Sequence, residues 1–441
     1  MRILKFYFLF LIILIPGIKT SAQKRISLNE AISIALKQNP SIKKSTYNLE
    51  ATDEAVKTAY GALIPTLGLN GSFDWQHTNY NSKALTNLTG VPTNGSASDE
   101  SRNWSLSMGG NLTLFDGLST FANIQSKENT VSSAKYDLEK LRQDIILQSV
   151  SLYTAIVSNK KLLDFQTEDL KYNQSLLDKI KQMYEIKAVP LPDVYAQEAT
   201  TANSELLFIQ ADNNYQKSIV AMLNFLAMDV TESYTFSFEN NDLNDTSAVP
   251  QQFDNLFKTA LANRQDYQSE QYKVKIAENQ ITYAWGNVFP RLIGNYGFST
   301  NASNPGNLFS QNTYSAGISL SLPIFSQFST EYSIELANVQ YKSTNEDLNA
   351  LERQIKTDVK NAFLDLETAR KQLDVSKKAV LSSKESWDAK KESYTLGAST
   401  YLDQQLAYNN YLQAEYTSIS KEYFYINSQF TLLSVIGELN K

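Results

Sequence analysis

The side chains that most often carry enzymatic chemistry are scarce in this 441-residue sequence. It contains no cysteine, which excludes a thiolate nucleophile, a disulfide and a Cys-ligated metal. Its single histidine, His77, lies in a polar stretch that is typical of an exposed loop. One histidine forms no metal cluster, and neither a Ser–His pair nor a Gly-rich phosphate loop after a strand is present. The sequence therefore predicts no catalytic residue, no metal, no cofactor and no enzyme.

Carboxylates are numerous, but most of them fall on predicted helices, where the solvated face is their usual place. Two aspartates are positioned differently. Each ends a ten-residue turn, Tyr184–Asp193 or Tyr394–Asp403, and is placed to cap the helix that follows. The formal net charge of −6 argues against a nucleic-acid partner.

The first residues predict export. Arg2 and Lys5 precede an apolar run, Phe6–Ile15, and small residues up to Ala22 provide a cleavage site. We expect a signal peptide at 1–22. An uncleaved membrane anchor is less favoured, because a run of about 10 residues is shorter than the roughly 20 that a membrane-spanning helix needs. Without a cysteine to carry a lipid, attachment to a membrane must come from the fold.

Two copies of one pattern follow each other along the chain. Ala59–Leu67 aligns with Ala284–Leu292 at an offset of 225, with Ala, Gly, Pro and Leu coinciding. Three further matches follow at an offset of 210, namely Phe115 with Phe325, Tyr184 with Tyr394, and Asp193 with Asp403. The first copy therefore has 15 extra residues between positions 73 and 115. This predicts a loop there and a rigid element of fixed length afterwards.

The matched residues divide the chain into the signal peptide, a first repeat (23–228), a linker or equatorial segment (229–252) and a second repeat (253–441). Each repeat is predicted to contain a helix, two strands, a very long helix and a shorter helix. In the first repeat the predicted bounds are 27–61, 66–76, 104–115, 118–186 and 192–228. In the second they are 253–286, 291–300, 314–325, 329–395 and 402–437.

The two long helical segments are unusual for a globular protein. Leu138, Leu141, Ile145, Leu152 and Ile156 recur in the first of them at coiled-coil spacing. Close to 70 residues at 1.5 Å per residue would give a length of about 100 Å.

The predicted strands alternate between apolar and small polar residues. In 66–76 one face carries Leu67, Leu69, Phe73 and Trp75, and the other carries Thr, Gly, Asn, Ser, Asp and Gln. Strands of about 10 residues with this pattern are typical of transmembrane β-barrels. A soluble sandwich also alternates, but no second apolar sheet is available to cover these faces. Trp75 and Trp104 lie at strand ends beside a polar loop, where membrane-interface aromatics are expected.

Four strands cannot close a barrel, and an open edge in lipid would leave backbone amides unpaired. The smallest bacterial barrels have about eight strands, so copies from other chains are required. The residues alone are compatible with either a dimer or a trimer.

The order and spacing of these elements resemble those of the TolC-like outer-membrane efflux proteins over essentially the whole mature chain. The Pro65 and Pro290 junctions and the segments Leu112–Gly117 and Leu320–Phe325 carry the likeness. The resemblance implies a mixed α+β membrane protein in two tandem structural repeats. Three chains would form a homotrimer, whose twelve-stranded β-barrel, with four strands from each chain, continues into a long α-helical barrel across the periplasm.

The resemblance also implies roles for the two turns at the periplasmic end. Asp193 and Tyr394 match positions that hold the entrance closed in relatives; Ser399 stands where those relatives have Arg, and Asp403 would serve as both cap and entrance carboxylate. A periplasmic adaptor, joined to an inner-membrane pump, would dock on the tips of the turns, at Lys187, Ala188, Val189, Pro190, Gly397 and Ala398. Lys187 stands where Gly397 is found in the second turn, and Pro190 and Pro192 stiffen the first.

The function expected from these features is an outer-membrane export duct in a tripartite efflux or type I secretion system. Outer-membrane lipid would surround the barrel. A passive porin would explain the strands but not the long helices. A periplasm-spanning coiled-coil scaffold would explain the helices but not the alternating strands.

Overall fold

The structure of the chain, a computed structural model, describes residues 24–80, 97–232, 234–236 and 253–439. The predicted signal peptide, most of the linker and the centre of the predicted loop lie outside these residues. Within the described ranges, no helix combines the length and the apolar character needed to cross a membrane.

Eight α-helices occur in the described ranges, and their lengths match in pairs. In the first half they are α1 (Leu28–Gln38), α2 (Pro40–Gly61), α3 (Ser119–Glu185) and α4 (Leu191–Phe225). In the second half they are α5 (Phe253–Asn263), α6 (Gln265–Trp285), α7 (Ser329–Thr395) and α8 (Tyr401–Val435). Both α3 and α7 have 67 residues, and both α4 and α8 have 35. Their bounds coincide at the offset of 210 that the sequence matches gave.

The backbone repeats at the same offset even where residue types differ. Eight described residues have positive φ angles, and they form four pairs. The pairs are Gly117 with Gln327, Leu118 with Phe328, Lys187 with Gly397, and Ala227 with Gly437. Two of these pairs directly precede the long helices, and the other two directly follow the end of a helix. The same turns therefore recur with different side chains.

The prediction of one continuous helix over 27–61 and another over 253–286 is wrong. The first is broken at Asn39, whose ψ is 125°, because Pro40 disfavours a helical conformation in the residue before it. The second is broken at Arg264, whose ψ is 122°. Its guanidinium donates to Asp266 at 2.6 Å and to Asp358 on α7 at 3.2 Å.

The described strands are β1 (Lys24–Ile26), β2 (Gly68–Tyr80), β3 (Ala97–Phe115), β4 (Tyr234–Phe236), β5 (Arg291–Ala302) and β6 (Asn312–Ser321). Four of them form an antiparallel sheet in the order β2-β3-β5-β6. The predicted start at 104 is wrong for β3, since its pairing with β2 continues to Ala97. The predicted end at 325 is wrong for β6, which stops at Ser321 shortly before Pro323, a residue with no N–H to donate.

The register brings apolar side chains into rows across the sheet. Leu69 lies opposite Met108, Met108 opposite Phe298, and Phe298 opposite Tyr314. Directly opposed residues share a face, so this row crosses all four strands. Leu69, Met108 and Tyr314 are nevertheless exposed, because no other described element covers the face.

The opposite face is polar. Its neighbouring row consists of Asn70, Ser107, Ser299 and Thr313, one from each strand. The hydroxyls of Ser72 and Ser105 on the same face lie 2.8 Å apart. Strands β2 and β6 each have one neighbour, so both edges of the sheet are open.

A second, smaller sheet joins the beginning of the described chain to the linker. Strand β1 pairs in parallel with β4, with Ile26 opposite Phe236, and both of these side chains are buried. The chain divides into two compact units. One holds the described parts of Met1–Asn39, Ile145–Val249 and Thr368–Phe430; the other holds Pro40–Asp144, Pro250–Glu367 and Thr431–Lys441.

Candidate functional site

The candidate site is formed by the two turns that connect α3 to α4 and α7 to α8, all within the first unit. Each long helix ends in the same hydrogen-bond pattern. In the first turn Lys187 N–H donates to Tyr184 O and Ala188 N–H donates to Met183 O, both at 2.8 Å. This pair of bonds defines a Schellman motif, which needs a left-handed residue. Lys187 occupies that position with a φ of 63°.

The second turn has the same motif with a different residue in the left-handed position. Gly397 N–H donates to Tyr394 O at 3.1 Å, and Ala398 N–H donates to Ser393 O at 2.8 Å. Gly397 has a φ of 75°. Glycine has no Cβ and adopts this conformation without the steric cost that a lysine incurs.

The expectation that Asp193 and Asp403 cap their helices is wrong in position. Asp403 is the third helical residue of α8, and Thr400 is the cap. Thr400 N–H and Oγ1 donate to Asp403 Oδ2 at 3.1 and 2.8 Å, and Asp403 N–H donates back to Thr400 Oγ1 at 3.2 Å. This reciprocal arrangement is a capping box, so the cap hydroxyl comes first and the carboxylate follows three residues later.

Asp193 holds the equivalent third position in α4, but the cap there is Pro190 and it makes no side-chain hydrogen bond. The carboxylate of Asp193 acts instead on the end of α7. Burial raises the pKa of Tyr394, and the negative charge of Asp193 raises it further. This electrostatic interaction is compatible with the pairing that the resemblance implied, which stays a prediction.

Tyr401 links Tyr394 to the protein interior. Its ring lies 6.2 Å from that of Tyr394, edge to face. It also packs on a buried cluster formed by Leu176, Ile180 and Val194. Burial raises the pKa of Tyr401 to about 12, with further contributions from its anionic and phenolic neighbours. The start of α8 is therefore anchored against α3 and α4.

The remaining predicted entrance residues face elsewhere. Ser399 Oγ donates to Lys390 O at 3.3 Å, so its hydroxyl fastens the second turn to its own helix. Asp403 is exposed, and its hydrogen bonds from Thr400 hold its pKa below the ordinary value.

The predicted docking residues are mostly exposed. Lys187, Ala188, Pro190, Gly397 and Ala398 lie on the surface of the unit, whereas Val189 is half-buried and packs against the cluster at Leu176 and Ile180.

Two apolar residues at the tips were missed. Ile186 and Leu396 are 76% and 77% exposed, and they are equivalent at the offset of 210. The signal was present in the sequence, since each is an aliphatic residue directly before the left-handed position.

The two predicted membrane-interface aromatics lie on the apolar face of the sheet. Trp104 is opposite Phe73, and their ring centroids are 4.4 Å apart. Trp75 is the next residue on the same face of β2 after Phe73. Its indole N–H donates to Glu100 Oε1 at 2.8 Å. Aromatic rings with one polar atom suit a boundary between apolar and aqueous surroundings.

Metal chemistry has no candidate centre in the part of the chain that the structure describes. No group of three or more His, Cys, Asp or Glu side chains there is arranged to hold an ion.

Long paired helices joined to a small antiparallel sheet define a class of outer-membrane channel. The crystal structure of the Campylobacter jejuni CmeC outer membrane channel has this fold. It aligns with a TM-score of 0.79 and 17% identity, over 93% of this chain and 86% of that one.

Sequence comparison agrees with the fold. The profile of the outer membrane efflux protein family matches residues 31–227 and 256–438. The chain therefore belongs to the outer membrane efflux protein family, which consists of channel proteins rather than enzymes.

Two relatives illustrate the distance within the family. The outer membrane efflux protein BepC of Brucella suis is 21% identical over 97% of this chain and 89% of its own length. The outer membrane protein TolC of Escherichia coli is 21% identical over 96% of this chain and 84% of its own. Both alignments run over nearly the whole of this chain.

Proposed function

We propose that this protein is the outer-membrane export duct of a tripartite efflux or type I secretion system. Three copies form a twelve-stranded barrel in the outer membrane, which continues into a helical tunnel in the periplasm. Solutes delivered by an inner-membrane pump pass through a periplasmic adaptor into this tunnel. Membership of the efflux family supports the role as a channel, and the geometry of the sheet supports the assembly.

The single observation that carries the assembly is a four-stranded sheet that is complete on neither edge. A sheet in lipid must pair all its backbone groups, and only closure achieves this. The open edges of β2 and β6 therefore pair with neighbouring copies. The exposed apolar row from Leu69 to Tyr314 then faces lipid, and the row of small polar residues lines a water-filled interior.

The two turns form the periplasmic entrance in this proposal. The electrostatic interaction between Asp193 and Tyr394 helps to keep the entrance narrow until a partner opens it. The exposed tips, with Ile186 and Leu396 beside the two left-handed residues, are the surface on which the adaptor docks. Their exposure leaves both side chains available for burial against the adaptor.

The two alternatives account for less of the molecule. A passive porin does not need paired helices of 67 and 35 residues. A scaffold of coiled coils does not need a sheet with one apolar and one polar face. Selection of the transported solute is assigned to the pump, because the duct acts through its width and not through a binding pocket.

Cross-linking from the tip tests the proposal. The sequence has no cysteine, so Ala398→Cys introduces a single thiol that can be labelled in intact cells. We expect capture of a periplasmic adaptor, identified by mass spectrometry. Ala51→Cys, at an exposed position on α2, is the matched control and should not capture that protein.

If a well-labelled Ala398→Cys protein captures only copies of itself, the export mechanism is contradicted and a passive pore or scaffold is favoured. Equal capture from Ala51→Cys would show non-specific proximity and would also count against docking at the tips.

A further inference from the structure

Behind the entrance lies a chain of buried hydrogen bonds that the proposed function does not use. Tyr408 OH donates to Asp169 Oδ1 at 2.6 Å, and Asn173 Nδ2 donates to the same oxygen at 2.9 Å. Gln197 Nε2 donates to Asn173 Oδ1 at 3.1 Å, and Tyr401 OH donates to Gln197 Oε1. We call these five residues the buried polar chain. It begins and ends on α8 and passes through α3 and α4.

The buried polar chain is shielded from water. Asp169, Asn173, Gln197 and Tyr408 are each less than 5% exposed. A buried carboxylate is costly unless its hydrogen-bond partners are kept. Burial and the bond to Asp169 raise the pKa of Tyr408, so its hydroxyl remains a donor. Separation of α8 from α3 would therefore leave Asp169 with one donor fewer in an apolar surrounding.

Repetition of the fold does not explain this arrangement. At the offset of 210, the positions of Asp169, Asn173 and Gln197 are occupied by Ala379, Ser383 and Ala407. The positions equivalent to Tyr401 and Tyr408 are Leu191 and Glu198. The acceptors are therefore specific to the first repeat and the tyrosines to the second. In the proposed trimer, the second repeat of one copy would lie beside the first repeat of the next copy. The equivalent positions at that interface carry none of the groups that make these hydrogen bonds, so the same chain could not form there.

We propose that the buried polar chain is a second closing element, beside the electrostatic interaction of Asp193 with Tyr394. This inference rests on the proposed function, because it concerns how the entrance of the duct opens. Widening the entrance moves α7 and α8 away from α3 and α4. That movement must break the bonds of Tyr401 and Tyr408.

Tyr401 couples the two closing elements. Its ring contacts that of Tyr394 at the entrance, and its hydroxyl starts the buried polar chain. Hydrogen bonds in such a network strengthen one another, so the chain should break as a unit. Loss of the electrostatic interaction between Asp193 and Tyr394 alone therefore leaves the entrance partly closed.

Conductance of the purified protein in planar bilayers tests this inference, together with uptake of a large glycopeptide antibiotic by cells. The variants are Tyr408→Phe, the entrance pair Asp193→Ala with Tyr394→Phe, and all three changes together. Loss of a hydrogen bond to a buried charge should raise the open fraction about tenfold for Tyr408→Phe. The triple variant should exceed the entrance pair.

Two matched controls separate this effect from loss of a tyrosine hydroxyl in general. Tyr411→Phe makes the same change one turn further along α8, where the ring stacks on Trp387 outside the buried polar chain. Tyr184→Phe makes it at the position equivalent to Tyr394 in the first repeat. Both should behave as the wild type.

The outcomes distinguish the inference from the proposed function. A folded Tyr408→Phe protein with wild-type conductance overturns the inference, whether or not the entrance pair opens the duct. If Tyr408→Phe opens the duct and the entrance pair does not, the proposed entrance residues fail and the inference holds. If Tyr408→Phe does not fold, Asp169→Asn decides, since it keeps the shape and removes the charge; unchanged conductance there overturns the inference.

Discussion

The two turns share one backbone geometry but not one set of stabilising interactions. Both have a Schellman motif followed by a helix whose third residue is aspartate. The first places a lysine in the left-handed position and starts its helix at Pro190 without a side-chain cap. The second uses Gly397 and a capping box from Thr400 and Asp403. The difference shows that a repeated backbone can be maintained by local chemistry in one copy and by packing in the other.

Packing is the source of stability in the first turn. Ile180 is 1% exposed and contributes to the cluster under Val189, whereas its equivalent at the offset of 210 is the exposed Lys390. We expect Ile180→Ala to lower the free energy of unfolding of this region by about 2–5 kcal/mol, because it leaves a cavity. Lys390→Ala should change it by less than about 0.5 kcal/mol.

Thermal unfolding followed by circular dichroism, with limited proteolysis to locate the change, measures both variants. Similar losses for Ile180→Ala and Lys390→Ala would contradict the contrast between a packed and an exposed turn.

Local hydrogen bonding adds to the packing of Tyr401 as a source of stability in the second turn. Thr400→Ala removes the cap hydroxyl and leaves the first amides of α8 without it. We expect a loss of about 1 kcal/mol, the usual effect of such a substitution. Thr400→Ser keeps the hydroxyl and should lose little. Hydrogen exchange of the first turn of α8 measures the effect, and equal protection in the two variants would show that the capping box contributes nothing.

The sequence predicted the elements that depend on local pattern. The two long helices were predicted to within one residue at each end, the first of them with coiled-coil spacing, and alternation gave four strands. The capping box was missed because aspartate was taken as the cap, although a threonine stands three residues before Asp403.

Contacts between distant residues could not be predicted in this way. Tyr401 and Gln197 are 204 positions apart. Nothing in either local sequence indicates that the two side chains meet. The break at Arg264 also depends on a distant partner, since Asp358 lies 94 positions away. The break at Asn39, by contrast, was readable from Pro40.

Exchanging the left-handed residues sharpens the comparison further. Lys187→Gly removes the close approach of a Cβ to the backbone, a strain of about 1–2 kcal/mol. Part of this gain is offset by the greater freedom of glycine in the unfolded chain. We expect a net stabilisation of at most about 1 kcal/mol, and a loss of similar size for Gly397→Lys. Opposite shifts of the melting temperature would support this account, and a loss in both variants would contradict it.

The smallest expected difference is the response of the two turns to pH. Hydrogen bonds from Thr400 hold the pKa of Asp403 below its ordinary 3.8. The contribution of that carboxylate is therefore present above pH 3.8 and is lost as the pH falls through the lower, folded value. Burial and the charge of Asp193 raise the pKa of Tyr394 above 10.0. Its contribution is present below pH 10.0 and is lost as the pH rises through the folded value.

Acid should therefore loosen the second turn through Asp403, and alkali should loosen the same turn through Tyr394. Ala188 and Ala398 are equivalent at the offset of 210 and both are exposed, so cysteines there can carry matched spin labels. We expect label mobility at position 398 to rise on both the acid and the alkaline side, and mobility at position 188 to change less. Asp403→Asn should remove the first response and Tyr394→Phe the second. Simultaneous loosening of both labels at one pH would mean that the whole unit unfolds, and the two turns would then have no separate responses to pH.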